Sequence, residues 1–285
     1  MLTLKTFSKI NIFLKVCGKI STGYHTIETV FLPLAKPYDE ISFSETDSGK
    51  ITLSSNSDNI PLNSDNICIK AAQVYADKAK INPNWHFHID KHIPVAAGLG
   101  GGSGNAAGVL NILNRKYNKL TDEELISAAA SIGADVPFFI NPSFTAAEGI
   151  GEILKPVNRK IPDFSLLLIN PQFPVSASWA YNNLQPPENE TTMKEAINLF
   201  SSGNFPEFSK TFRNDLQPAI LKKFPILRII QSVLSENNAL ASGISGSGPT
   251  LFAVFENDLI CDIAADKLFE YFDKSITILK SEPLF

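Results

Sequence analysis

The alternation of apolar and polar positions predicts strands through the first 55 residues. Lys9–Val16 and Glu28–Leu34 are rich in β-branched and aromatic residues, with the turn-forming Ser21–His25 between them. Ile41 and Phe43 fall on one face of a third alternating run, Glu40–Glu45. From Asn66 to Lys80 the period lengthens to that of a helix, with Ile67, Ala71, Val74 and Tyr75 on one stripe. Trp85–Asp90 returns to period two, turning Trp85, Phe87 and Ile89 inward and His86, His88 and Asp90 outward. After a glycine-rich run, Ala106–Asn114 reads as a helix. A further helix begins at Thr121, where Thr121 and Glu124 make a capping box, and ends near Gly133. Pro137 bars its continuation and biases Val136 away from helical geometry. Past the polar stretch 155–163 come a buried strand Phe164–Ile169, helices within Thr192–Glu236, a strand Thr250–Phe255, a helix Leu259–Phe272 and a last strand Ile276–Lys280. Strands, intervening helices and strands again predict an α+β protein in two domains, residues 1–155 and 160–285.

Composition narrows the class. With 285 residues, 44% of them hydrophobic and 20 of them Phe, the chain can build a large core, which excludes intrinsic disorder. Its 25 basic and 29 acidic residues leave a net charge of −4, so there is no basic footprint for nucleic acid. The N-terminal residues lack an unbroken apolar core, and the longest uncharged stretch, 237–255, is too rich in Gly and Ser to span a membrane. A soluble cytoplasmic protein is expected, with no membrane or nucleic-acid partner. Cys17, Cys68 and Cys261 are odd in number and widely spaced, which predicts reduced thiols rather than disulfides or a zinc site. His86, His88 and His92 invite a metal reading, but only Asp90 joins them, so an exposed strand face is expected.

The candidate chemistry centres on Gly98–Gly104, which carries five glycines in seven residues. Each glycine inside a helix or strand costs roughly 0.5–1 kcal/mol against Ala, so the run reads as a loop. Backbone N–H groups ahead of a helix make a ready anion site, and the natural guest is phosphate. The run lacks the Gly-Lys-Ser/Thr of a Walker motif, and the match of Gly102, Gly104 and Ala107 to a dinucleotide fingerprint has no βαβ unit around it. A long tight turn is the alternative. A second cluster, Ser242–Thr250, reads either as a glycine hairpin or as a cover for the other side of a nucleotide or substrate. Lys9 and Asn11 alternate onto one strand face. Asp135 lies between Ala134 and Val136 in a markedly apolar setting, and Tyr24 and His25 occupy the first turn. Taken singly, each is also compatible with a snorkelling lysine, a turn residue or plain surface.

Together, Phe7–Asn11, Gly23–Thr26, Pro94–Ser103, Gly133–Pro137 and Ser242–Thr250 resemble the ordered motifs of the GHMP-type small-molecule kinases. Phe7-Ser8 stands where that family usually has Pro-Ala, and Gly104 where it often has Ser or Asp, which removes a polar group beside the phosphates. The resemblance implies an N-terminal domain like the second domain of ribosomal protein S5 and a ferredoxin-like C-terminal domain. It also implies transfer of the ATP γ-phosphoryl group, with Mg²⁺, to a small-molecule alcohol. Within the family the branch it suggests phosphorylates the 2-hydroxyl of a cytidylyl methylerythritol in non-mevalonate isoprenoid synthesis. In that reading Asp135 accepts the hydroxyl proton, and Lys9 keeps Asp135 ionised and stabilises the reacting oxygens. Pro94, Val95, Ala96, Ala97, Gly98, Leu99, Gly100, Gly101, Gly102, Ser103 and Gly104 bind ATP. Asn11, Tyr24, His25 and Tyr181 line the acceptor, no residue is assigned as a metal ligand, and the chain acts as a monomer or weak homodimer. A kinase for homoserine, mevalonate or a sugar, and a non-catalytic nucleotide-binding protein, are the alternatives.

Overall fold

The computed structural model describes residues 2–21 and 23–284, which form two compact units. The first comprises residues up to Ser8, Pro37–Val95 and Gly100–Pro142; the second comprises Lys9–Lys36, Ala96–Leu99 and the chain from Ser143 onward. Two long strands, β1 (Leu2–Lys19) and β2 (His25–Glu45), each contribute residues to both units. The two runs expected at Glu28–Leu34 and Glu40–Glu45 are therefore one continuous strand through Pro33 and Pro37.

In the first unit, the latter part of β2 pairs antiparallel with β4 (Trp85–Asp90), and β3 (Ile51–Ser55) runs parallel to β4 on its other side. Trp85, Phe87 and Ile89 are buried with Ile41 and Phe43, as their alternation predicts. The Trp85 indole donates to the Tyr117 hydroxyl at 2.8 Å, and that hydroxyl donates to Glu45 at 2.7 Å. Three helices belong to this unit: α1 (Ile67–Ala79), α2 (Gly101–Tyr117) and α3 (Asp122–Ile132). The capping box at Thr121 and Glu124 is formed.

Two local expectations are corrected here. Helix α2 begins at Gly101, not Ala106, so three of the five glycines of the run lie inside it. Its packing explains most of them. A Cβ on Gly104 would lie 2.9 Å from the Phe7 carbonyl oxygen, and one on Gly108, a turn further on, would lie 2.3 Å from Thr6 Cγ2, so the helix approaches β1 more closely than alanine allows. Val136 is helical (φ −63°, ψ −41°), and Pro137 opens a short 3₁₀ turn, Pro137–Ile140, because a proline is tolerated at a first helical position.

The second unit is built on an antiparallel sheet in the order β10 (Thr277–Ser281), β7 (Ser165–Asn170), β9 (Leu251–Phe255), β8 (Ala241–Ile244). Helices α8 (Ile226–Glu236) and α9 (Asp258–Phe272) pack on it, burying Leu227, Ile230 and Leu234 with Cys261, Ala264 and Leu268. The short strands β5 (Thr145–Glu148) and β6 (Ile153–Pro156), which periodicity misses, continue from β2. Helices α4 (Ala177–Asn182), α5 (Met193–Ser201), α6 (Phe205–Thr211) and α7 (Gln217–Lys223) complete the unit. Phe200 is the hub of a ring cluster with Phe144, Phe164, Phe205 and Phe208. The α+β class is the one expected.

Candidate active site

In the second unit the structure brings together three segments that are remote in sequence. Lys9 is buried on β1, and its ammonium donates to Asn11 Oδ1 at 2.6 Å and to the Gly98 carbonyl at 3.2 Å, so the two residues do share a face. The Lys9 ammonium also stands 5.4 Å from the centre of the Phe31 ring. Asn11 donates through Nδ2 to Thr29 Oγ1 at 2.8 Å, and the Thr29 hydroxyl donates to the Phe13 carbonyl at 2.6 Å. This chain of bonds fixes the amide so that its oxygen faces the lysine.

The Gly98 carbonyl accepts a second bond, from Ser245 Oγ at 2.9 Å, and the same hydroxyl accepts from the Asn11 backbone N–H at 3.2 Å. Ala97 in turn accepts from Thr250 N at 3.3 Å. The two glycine-rich segments thus touch. Gly98 has φ +77°, and a Cβ there would lie 2.3 Å from the Ser245 carbonyl oxygen; Gly246 has φ +55°, and a Cβ there would lie 3.0 Å from Asn11 Oδ1. Both positions exclude side chains by conformation as well as by space. Asn214 holds the second segment from behind, donating to the carbonyls of Ile244 at 2.8 Å and Gly246 at 2.9 Å.

His25 opens β2, and its ring stacks on Tyr181 of α4 with centroids 5.3 Å apart and planes 18° apart. Burial, with Lys19 adding to it, holds the imidazole below its ordinary 6.5. Tyr24 beside it is 62% exposed, so its ring is available to a ligand at little desolvation cost.

In the first unit, Gly100 caps α2 in a left-handed conformation (φ +74°) and offers no side-chain cap, in contrast to the capping boxes of α3 and α5. The first N–H groups of a helix have no intrahelical acceptor, so this end presents donors. Gly102 is exposed, and a Cβ on it would meet nothing closer than Ile67 Cγ2 at 4.0 Å. Packing accounts for Gly101 and Gly104 but not for Gly102. Ser103 stands in the first turn, half-buried. Pro94 and Val95 lead in, and Ala96 takes the left-handed φ of +54°. Asp135 is half-buried in the turn after α3, where Val136 N bonds the Gly133 carbonyl at 3.1 Å.

On β4, His86 bonds Thr52 and Ser54 and His88 bonds Ser54; His92, past the end of that strand, pairs with Asp90. Among the described residues, no group of three or more acidic, histidine or cysteine side chains could hold a metal ion. Cys17, Cys68 and Cys261 are free thiols, and burial pushes Cys68 up to about 12. Sequence reasoning missed Ser245, Thr29 and Asn214. Ser245 had a signal, since it is the hydroxyl set between Gly243 and Gly246. Thr29 and Asn214 had none.

The GHMP kinases N-terminal domain model matches residues 66–142, and the GHMP kinases C-terminal model matches 193–274. A curated 4-diphosphocytidyl-2-C-methyl-D-erythritol kinase of Prosthecochloris aestuarii is 35% identical over 94% of this chain and 93% of its own length. That of Chlorobium chlorochromatii is 36% identical, covering 96% and 95%. The chain belongs to the 4-diphosphocytidyl-2-C-methyl-D-erythritol kinase family. A crystal structure of a 4-(cytidine 5'-diphospho)-2C-methyl-D-erythritol kinase superposes with a TM-score of 0.80 at 26% identity, covering 99% of this chain and 100% of that one. A homoserine kinase from Cytophaga hutchinsonii shares the fold, with a TM-score of 0.75 at 18% identity over 99% of this chain and 95% of its own. Membership of this family within the GHMP kinases carries the two-domain GHMP architecture and the resemblance read in the motifs. No helix among the described residues is long and apolar enough to cross a membrane.

Proposed function

We infer that this chain transfers the γ-phosphoryl group of ATP to the 2-hydroxyl of 4-diphosphocytidyl-2-C-methyl-D-erythritol, supplying the non-mevalonate route to isoprenoid precursors. The observation that carries the reading is the setting of Lys9: a buried ammonium aimed by Asn11 at the Gly98 carbonyl, where both glycine-rich segments converge. Phosphoryl transfer asks mainly for positioning and charge stabilisation, which such a cation supplies.

In this reading the N–H groups at the start of α2 and the run Pro94–Gly104 take the nucleotide phosphates. Asp135 accepts the proton of the acceptor hydroxyl, and Lys9 stabilises the reacting oxygens. The stacked pair His25 and Tyr181, with Tyr24 and Asn11, receives the cytidylyl end, as flat rings suit a base. Mg²⁺ fits this site as an ion carried in on the nucleotide, since it keeps several waters and needs few protein oxygens. The Ser103 hydroxyl is the side chain of the run that would hold it, and the ion supplies neutralisation of phosphate charge. Residues 1–155 and 160–285 then serve as the nucleotide-binding and C-terminal halves of a cytoplasmic monomer or weak homodimer acting on a small molecule.

ADP release measured against a panel of acceptors tests the reading: turnover must require the cytidylyl group, and equal rates with methylerythritol phosphate or homoserine would sink the assignment. Asp135→Asn should lower kcat by roughly 10²–10⁴, the worth of a positioned general base. Lys9→Met should do comparable damage, and the double variant should be little worse than either alone, since groups acting as a unit are non-additive.

A further inference from the structure

One buried carboxylate ties together the two ends of the glycine-rich run. Asp39, at the end of β2 that lies in the first unit, is wholly buried, yet four donors converge on it. Its Oδ1 accepts the backbone N–H groups of His92 at 2.7 Å and Ile93 at 2.8 Å, the residues just before Pro94. Its Oδ2 accepts the Lys91 ammonium at 2.5 Å and the Asn105 amide at 2.8 Å, and Asn105 follows directly on Gly104. Lys91 also donates to Asn105 Oδ1 at 3.1 Å, and Asn105 Nδ2 reaches Thr6 Oγ1 at 2.8 Å. The Lys91 side chain is only 5% exposed, and its ammonium lies where a Cβ on Gly101 would approach to 3.2 Å.

A core that needed stability alone has cheaper solutions, because replacing a buried ion pair with apolar residues of equal volume is often neutral or stabilising. Charged, directional bonds supply geometry instead. Here every bond of the carboxylate goes to a residue flanking the same run: two to the backbone ahead of it, one to the side chain of Lys91, one to the side chain that follows it. We propose that Asp39 is a positioning residue which, through Lys91, Asn105 and the amides of His92 and Ile93, fixes both ends of the run in the geometry that takes the nucleotide phosphates. This rests on the phosphate role given to the run above. Ordering both ends beforehand removes that conformational cost from binding, so the effect belongs in nucleotide affinity rather than in the chemical step.

The test is ATP affinity by calorimetry, with KM for both substrates, kcat and thermal unfolding, on the full chain carrying Asn105→Ala or Asp39→Asn. Asn105→Ala leaves the carboxylate three of its donors and so spares the fold. It should weaken ATP binding about tenfold, the scale of one lost positioning bond, while kcat at saturating ATP and the acceptor KM stay within about twofold. Asp39→Asn should weaken ATP binding further, because it removes the charge that holds the Lys91 ammonium and sets an amide against the donors of Lys91 and Asn105. If Asp39→Asn does not fold, Asn105→Ala decides alone. A folded Asn105→Ala with wild-type ATP affinity overturns the proposal, even if its melting temperature drops. A wild-type preference for some other alcohol would overturn the acceptor assignment only, since the readout here is nucleotide binding.

Discussion

The two glycine-rich segments look alike in sequence and differ in what their glycines do. In the second, Gly246 and Gly248 have positive φ and shape a turn between β8 and β9, and Gly243 lets the Phe212 ring lie where a Cβ would come within 2.4 Å. In the first, Gly98 and Gly100 are left-handed, whereas Gly101, Gly104 and Gly108 sit in a regular helix and are kept small by Ile93, Phe7 and Thr6. Gly102 alone has neither constraint. Glycine content therefore mixes two causes, backbone conformation and helix packing, and leaves Gly102 as the position where the proposed access for a ligand can be tested by substitution.

The largest effect is expected at Gly98→Ala, which combines a left-handed residue, costing roughly 1–2 kcal/mol, with a clash against backbone that costs about 1–3 kcal/mol more. Denaturant melts should show that loss, and turnover should fall with it because the Gly98 carbonyl holds both Lys9 and Ser245. Gly104→Ala meets a backbone oxygen at 2.9 Å and should destabilise by about 1–3 kcal/mol of overpacking, partly offset by about 1 kcal/mol of helix propensity. Gly102→Ala should behave in the opposite sense: stability unchanged or up by about 0.5–1 kcal/mol, while ATP KM rises about tenfold. Unchanged ATP kinetics there would return the whole run to packing and turn geometry. Gly101→Val is a poorer probe, because its branch would run into Ile93.

The smallest effect lies outside both segments and serves as their control. Burial and Lys19 depress the His25 pKa, so folding favours the neutral ring and protonation arrives only below the ordinary 6.5. The acceptor KM should stay flat from pH 8 to about 6.5 and rise several-fold below it, with ATP KM unmoved. His25→Asn should flatten that profile. An acceptor KM indifferent to pH would remove His25 from the acceptor's neighbourhood.

Much of this was legible in the chain itself. Period-two alternation located Trp85–Asp90 because one face is buried and the other is not, and Thr121 with Glu124 announced a helix start because the capping bonds are local. Lys9 and Asn11 could be paired on one face from spacing alone. The start of α2 was misplaced for an equally physical reason. Propensity counts the cost of a glycine in a helix but not the tertiary packing that requires one, and at Gly104 and Gly108 the packing prevails. Thr29 and Asn214 carry no local pattern, so only folding reveals that they orient Asn11 and the second turn, and the glycines around Ser245 mark its segment but not its bond to the Gly98 carbonyl.

The sequence by itself determined most of the elements and the family, and nominated Lys9, Asp135 and the glycine-rich run as candidates, because these readings depend on periodicity, capping and ordered motifs that act over a few residues. The tertiary structure alone decided which glycines are structural and what aims the Lys9 ammonium. It also decided that Asp39 gathers both ends of a run beginning more than 50 positions away, as in its bond to Ile93. Hydrogen bonds and close packing act over about 3–4 Å in space, whatever the separation along the chain, and no pattern of neighbours in sequence encodes them directly.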